Sequence, residues 1–261
     1  MPERDGALRR IETLLASPRT EEVREGLELL RAELGRGPGE RGRALVEVLS
    51  TLFYVDPFDR PDLARAVEEA VRLLACCPWA MPLLLETLDA GDLKAQMAVA
   101  SALGSMGEDA VEPLLAEYRR SSDASRKAFV LYALGKVKAP AVVKASECAV
   151  EACASSDREL RDTATRIIGK LAESIRPADL PEALGRSFVA ALRANLGDSS
   201  PAVRAKAVRS LGKLGKFGHL RPEERQELRA VCERLLGRDE QSDWERAYIV
   251  RREAVEALRQ L

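Results

Sequence analysis

The recurrence of one helical phrase limits what this chain can fold into more than any other feature. Residues 198–215 run from Asp198 through SSPAVRAKAVRSLGKLG, with Val203, Ala207, Val208, Leu211 and Leu214 at helical spacing, so a single apolar stripe runs along a helix. Ser200 precedes Pro201 as an N-cap precedes a first-turn proline, and Gly212 and Gly215 fall near the end. The phrase returns upstream as Leu160, Arg161, Ala164, Ile168, Gly169 and Leu171, as Ala133, Leu134, Gly135 and Val137, and as Val99, Leu103, Gly104 and Met106. It returns last as Val250, Arg251, Ala254, Val255 and Leu258. Gly104, Gly135, Gly169 and Gly212 lie 31, 34 and 43 residues apart. Such periods belong to stacked repeats, each too small to bury its own apolar stripe, so the 261 residues count as one array.

Leu, Ala, Arg and Glu dominate and aromatics make up only 4%, a mixture that favours helices and starves sheets. Three regions are expected: irregular N-terminal repeats over 1–78, regular repeats over 79–215, and a C-terminal repeat over 216–261. In the first, Leu8, Ile11, Leu14 and Leu15 mark one helix, Val23, Leu27, Leu30 and Leu34 a second, and Leu45, Val48, Leu49 and Leu52 a third. Residues 53–61 (FYVDPFDRP) break helix twice with proline, and a fourth helix follows from about Asp62 to Ala75. From Trp79 the units become regular: WAMPLL aligns with AVEPLL at residues 110–115, each with proline in its first turn. A polar break, 89–91 or 121–123, then separates the two helices of each unit. Later pairs are Ala141–Ala154 with Arg158–Ala172, Pro181–Leu196 with Pro201–Gly215, and Glu223–Leu236 with Trp244–Leu261.

Residues 79–215 resemble HEAT repeats, particularly the short bacterial, phycobilisome-lyase-like variety, on motifs such as GEDAVEPLL, an Asp-bearing loop, and AVRAKAVRSLGKLG. The resemblance implies a right-handed α-solenoid, an α-α superhelix of about seven HEAT-like helix pairs, with the second helix of each pair lining a concave surface. For function it is nearly silent, because such repeats serve scaffolds, adaptors, lyase subunits and nucleic-acid enzymes.

Catalytic signatures are missing. There is no GxxxxGK[ST] or GxSxG, and the single histidine, His219, sits in a loop without a local acid, Cys or Ser and is expected to face solvent. Asp198/Arg204, Asp157/Arg161 and Asp123/Lys127 recur in every unit, which suits caps and ties between repeats better than catalysis. The five cysteines, Cys76, Cys77, Cys148, Cys153 and Cys232, lack CxxC spacing and are expected to be buried and reduced. A bilin-linked Cys76-Cys77 pair is the alternative. No metal, no cofactor and no catalysis are expected. With no apolar run of about 18 residues and no apolar core near the start, a soluble cytoplasmic protein is expected, with no membrane partner.

Charge layout is more informative than the formal net charge of −1: residues 51–112 hold 4 basic and 11 acidic side chains, residues 113–222 hold 20 and 11. Lys206, Arg209, Lys213 and Lys216 share one helical face, opposite the apolar stripe. Across the repeats Lys213 corresponds to Lys170 and Lys136, and Arg209 to Arg166 and Tyr132. A scaffold or adaptor is therefore expected, taking an acidic protein segment on a groove made of Tyr132, Lys136, Arg166, Lys170, Lys206, Arg209 and Lys213. Phosphate-backbone binding of nucleic acid is the alternative, weakened by the scarcity of aromatic stacking platforms, and a non-catalytic subunit of an enzyme such as a bilin lyase is another. A second patch is expected at Phe53, Tyr54 and Phe58. Homodimerisation through the last helix is also open, since Ile249, Val250, Val255 and Leu258 need cover.

Overall fold

The computed structural model describes residues 2–56, 58–86, 92–238 and 244–261; Pro57 and the break expected at 89–91 lie outside them. Fourteen α-helices and no strand are present among the described residues, and the fold is an all-α solenoid of the HEAT/armadillo type. By contact the chain divides into two compact units, residues 1–110 and 111–261.

The first unit holds α1 (Pro2–Leu15), α2 (Thr20–Leu34), α3 (Glu40–Ser50), α4 (Ala64–Ala75), α5 (Met81–Glu86) and α6 (Leu93–Ser105). Apolar spacing decides what each helix buries: Val23, Leu27, Leu30 and Leu34 on α2, and Ala66, Ala70, Leu73 and Leu74 on α4, are in the core. On α3 the buried residue is Val46 rather than the expected Val48, because Leu45, Val46 and Leu49 form the inward face. Helix α2 packs against α1, α3 and α4, and α4 against α6. Gly42 on α3 is required by a close approach: a Cβ there would lie 2.7 Å from the Gly37 carbonyl oxygen and 2.9 Å from the Trp79 ring.

The second unit holds α7 (Val111–Arg120), α8 (Ala124–Leu134), α9 (Ser146–Ala152), α10 (Arg158–Ser174), α11 (Glu182–Asn195), α12 (Pro201–Lys216), α13 (Pro222–Leu235) and α14 (Tyr248–Gln260). The second helices stack directly, α8 on α10, α10 on α12 and α12 on α14, while α7, α9, α11 and α13 pack behind them. The repeating glycine marks where stacked helices come closest. A Cβ on Gly169 would stand 3.0 Å from Ser210 Cα and 2.6 Å from its hydroxyl, one on Gly212 would stand 3.0 Å from Ala257 Cβ, and one on Gly135 would strike Ile167. These glycines are contact points inside the stack: Gly169 and Gly212 lie within α10 and α12, and Gly135 also caps the end of α8.

The Asp-plus-basic periodicity is structural. Asp123 and Asp157 accept the backbone N–H of Arg126 (2.7 Å) and Leu160 (2.8 Å), capping α8 and α10. Arg161 donates to Asp198 of the next repeat at 2.7 Å and to the carbonyls of Ser155 and Ser156 in its own turn. Arg204 repeats the arrangement, donating to Glu245 at 2.9 Å and to the carbonyls of Asp198 and Ser199. Ser200 occupies the N-cap position of α12, but its hydroxyl makes no capping bond; Asp198 instead accepts the Ser200 N–H at 2.8 Å. A polar knot lies within the stack: Thr165 Oγ1 accepts from Asn195 Nδ2 at 2.7 Å and donates to the Arg161 carbonyl, and Ser210 donates to the Thr165 carbonyl at 2.8 Å.

Two boundaries differ from the sequence pattern. The helix expected from Ala141 is a 3-10 turn over Pro140–Ala145 followed by the short α9. The last helix begins at Tyr248, not Trp244, because Ala247 is extended, the Glu245 N–H is held by the Leu235 carbonyl, and the Trp244 ring stacks on Arg251 at 4.2 Å. Cys77, Cys148, Cys153 and Cys232 are buried and unbridged, with burial pushing Cys153 and Cys232 up to about 12, whereas Cys76 is exposed at the end of α4 and departs from the expected burial.

Candidate functional site

The cations singled out by spacing lie on α8, α10 and α12, or just beyond α8, on consecutive members of the stack. Most have carboxylate partners. Lys170 and Lys213 share Glu173, at 2.8 and 2.5 Å; Lys206 pairs with Asp162. Arg209 makes two bonds to Glu253, at 2.8 and 2.6 Å, and Arg252 reaches the same carboxylate at 2.9 Å. The ladder is thus not a bare row of positive charge: Glu173, Asp162 and Glu253, from α10 and α14, offset Lys170, Lys206, Arg209 and Lys213.

Electrostatics follow from that pairing. Burial alone would raise the Glu173 and Glu253 carboxyls, but hydrogen bonds from Lys170 and Lys213, and from Arg209 and Arg252, outweigh it and hold both below the ordinary carboxylate range. Burial also lowers Lys213, with Glu173 only partly compensating. Asp162 keeps one buried oxygen, Oδ1, without a hydrogen-bond partner.

Tyr132 is different. The Arg166 guanidinium and the Lys136 ammonium both sit over its ring, at 4.7 and 5.0 Å from the centroid, and among the described residues neither has a carboxylate partner. Two neighbouring cations are therefore held by an aromatic face, which positions them without consuming their charge. The structure brings Tyr132, Lys136 and Arg166 together as one cluster, and joins Lys170 to Lys213 through Glu173.

The second expected patch divides. Phe53 is 2% exposed in a 3-10 turn, Thr51–Tyr54, that packs on α4 and α6, so it is core and not surface. Tyr54 and Phe58 are exposed, as are Leu93 and Met97 on α6, and Lys94 pairs with Asp56 to tie this loop to α6. His219 also departs from expectation: it is half-buried, with Nε2 3.0 Å from the Ala172 carbonyl oxygen, which only a protonated Nε2 can satisfy. Spacing could not reveal Glu173, Glu253 and Asp162 as partners, since the bonds to Lys213, Arg209 and Lys206 each cross between repeats. On α14, Val250 is buried, Val255 and Leu258 are half-buried, and Tyr248 and Ile249 are exposed, as is Trp244 ahead of the helix. Among the described residues, no group of three or more His, Cys, Asp or Glu side chains is arranged to hold a metal ion, and no helix is long and apolar enough to cross a membrane.

No family model matches the sequence, and no curated protein matches it. Solved structures do match. The complex of CpcE and CpcF of phycocyanin lyase from Nostoc sp. PCC7120 aligns with 69% of this chain and 98% of its own at 19% identity, with a TM-score of 0.55. Kap95p, in its complex with RanGDP, aligns with 99% of this chain at 15% identity and a TM-score of 0.57; the match spans 36% of Kap95p. An engineered protein aligns over 90% of this chain and 97% of its own at 18% identity, with a TM-score of 0.50. At such identities the likeness is one of fold.

Proposed function

We propose that this protein is a non-catalytic scaffold that takes an acidic protein segment along the α8, α10 and α12 face, with Lys136 and Arg166 at Tyr132 as its anchor. The observation that carries this reading is the pair of cations held over one ring without carboxylate partners among the described residues. Binding there exchanges water for a partner's carboxylates without first breaking an internal ion pair. At Lys170, Lys206, Arg209 and Lys213 an incoming acid must displace Glu173, Asp162 or Glu253, so these four tune the surroundings more than they anchor. Two structural neighbours, CpcE with CpcF and Kap95p with RanGDP, were each solved as an assembly with another protein, which agrees with this role.

The test is a salt-resolved titration of an acidic partner peptide against the whole chain. Lys136→Glu with Arg166→Glu should weaken binding by about tenfold or more, and affinity should fall steadily as salt rises. Lys206→Gln should change it by less than about twofold. Indifference to the double reversal removes this face from consideration, and preferential binding of an oligonucleotide with a steep salt slope would replace the protein segment by nucleic acid. Self-association through α14, where Tyr248 and Ile249 are exposed, is the finer element of the same proposal; light scattering of the chain and an Ile249→Glu variant decides it.

A further inference from the structure

In the N-terminal unit an arginine, glutamate, arginine triplet is written twice at one offset. Arg24, Glu28 and Arg31 on α2 recur 41 residues later as Arg65, Glu69 and Arg72 on α4. Spacings of four and three put each triplet on one helical face. The helices lie side by side: α2 packs on α4, Thr20 donates to Asp62 near their starts, and Arg31 pairs with Glu69 further along.

Both triplets line one cavity of about 330 Å3, floored by Leu27 and Ala66. A second cavity of about 710 Å3 shares Arg31, Glu69 and Arg72 with it and adds Leu34, Leu73, Cys77 and Trp79. The trough is therefore continuous and changes character along its length. At one end Arg24 and Arg65 are exposed, and among the described residues neither has a carboxylate partner. In the middle, Glu69 accepts from both Arg31 and Arg72, the latter at 2.8 Å. At the far end the lining is apolar and ends on the Trp79 ring.

We propose that this trough binds a short acidic segment of another protein, with carboxylates against Arg24 and Arg65 and an apolar side chain beside Leu34, Leu73 and Trp79. Guanidinium forks match carboxylates bidentately, and two of them at one open end form a fixed anchor. The ten steps from Arg24 to Leu34 advance about 15 Å along α2, which an extended peptide covers in about four to five residues. That distance sets the spacing between the ligand's acids and its apolar anchor. Glu28 and Glu69 choose the class of ligand: a nucleic-acid strand would carry its continuous charge past both, whereas a peptide need place acids at one end only. The site uses residues of the N-terminal unit alone and does not depend on Lys136 or Arg166.

The 261-residue chain has two tryptophans, so Trp244→Phe leaves Trp79 as its single reporter. The probe is a capped peptide of two glutamates, three alanines and two leucines. Its addition should shift Trp79 emission saturably. Arg24→Gln with Arg65→Gln should weaken binding by about tenfold, as should replacing the peptide's leucines by alanine. Arg24→Lys with Arg65→Lys, with the thermal midpoint monitored, guards against an effect of folding. Lys136→Glu with Arg166→Glu should leave this Kd within about twofold, so failure of one site is distinguishable from failure of the other. An absent or non-saturating Trp79 response, a Kd unmoved by the glutamine pair, or tighter binding of oligothymidylate through the same arginines would each overturn the proposal.

Discussion

Gly169 and Gly185 are both helical glycines, and a methyl group would act on them in opposite ways. At Gly185 a Cβ meets only Leu180 Cδ2 at 3.6 Å, an ordinary contact, so Gly185→Ala should gain about 0.5–1 kcal/mol from helix propensity. At Gly169 the same atom lies 3.0 Å from the Ser210 backbone, and Gly169→Ala should cost about 1–3 kcal/mol by overpacking. Urea unfolding of the two variants checks the pair; equal shifts would refute the close approach. Thr165→Val tests the buried knot beside it. The change leaves Asn195 Nδ2 without its acceptor and should cost about 1–3 kcal/mol. Side-chain fates in this molecule also depend on neighbours that a linear reading lacks. Phe53 and Phe58 sit in one aromatic loop, yet the first is 2% exposed and the second 91%, because only the 3-10 turn at 51–54 is drawn against α4 and α6.

The repeated helix pair is the element that was legible in advance, because its apolar stripe, its Asp cap and its glycine recur and average out local ambiguity. What spacing could not reveal is how one pair grips the next. Arg161 to Asp198 and Arg204 to Glu245 join side chains 37 and 41 residues apart, and the acids are supplied from loops whose lengths vary. Hydrogen bonds from Arg161 and Arg204 are the leading cause that holds Asp198 and Glu245 below the usual carboxylate range, and Glu253 lies below it too. In the unfolded chain these groups titrate near their ordinary values of about 4. Their contribution is therefore fully present above about pH 4 and is lost as pH falls through the lower folded values. The thermal midpoint should be level from neutrality to about pH 5 and drop steeply below about pH 4. Arg204→Met should cost about 2 kcal/mol at pH 7 and shrink that acid-side drop. A midpoint indifferent to acid would show that these pairs contribute nothing.

Over the whole molecule, opposite charges segregate: residues 51–112 carry 4 basic against 11 acidic side chains, a net −7, and residues 113–222 carry 20 against 11, a net +9, within a formal total of −1. Low net charge with strong internal separation favours association between copies when screening is weak. Light scattering should therefore report larger particles at about 10 mM salt than at about 0.3 M, where the Debye length is a fraction of its low-salt value. No change in apparent mass over that range would mean the separation has no bearing between molecules. Within residues 51–112 acidic neighbours dilute the arginines of α4, and α2 lies outside both blocks, so neither triplet shows in a block-by-block charge count; the signal present is the repeated 41-residue offset.

In three successive repeats the glycine at the point of closest approach is followed at once by lysine: Gly135 by Lys136, Gly169 by Lys170, and Gly212 by Lys213. A missing methyl inside thereby acts as the ruler for charges outside. Any chain that lies along α8, α10 and α12 meets its counter-ions at a pitch cut by hydrogen-sized side chains, and enlarging one glycine would rescale the spacing that a ligand must match without touching a single charge.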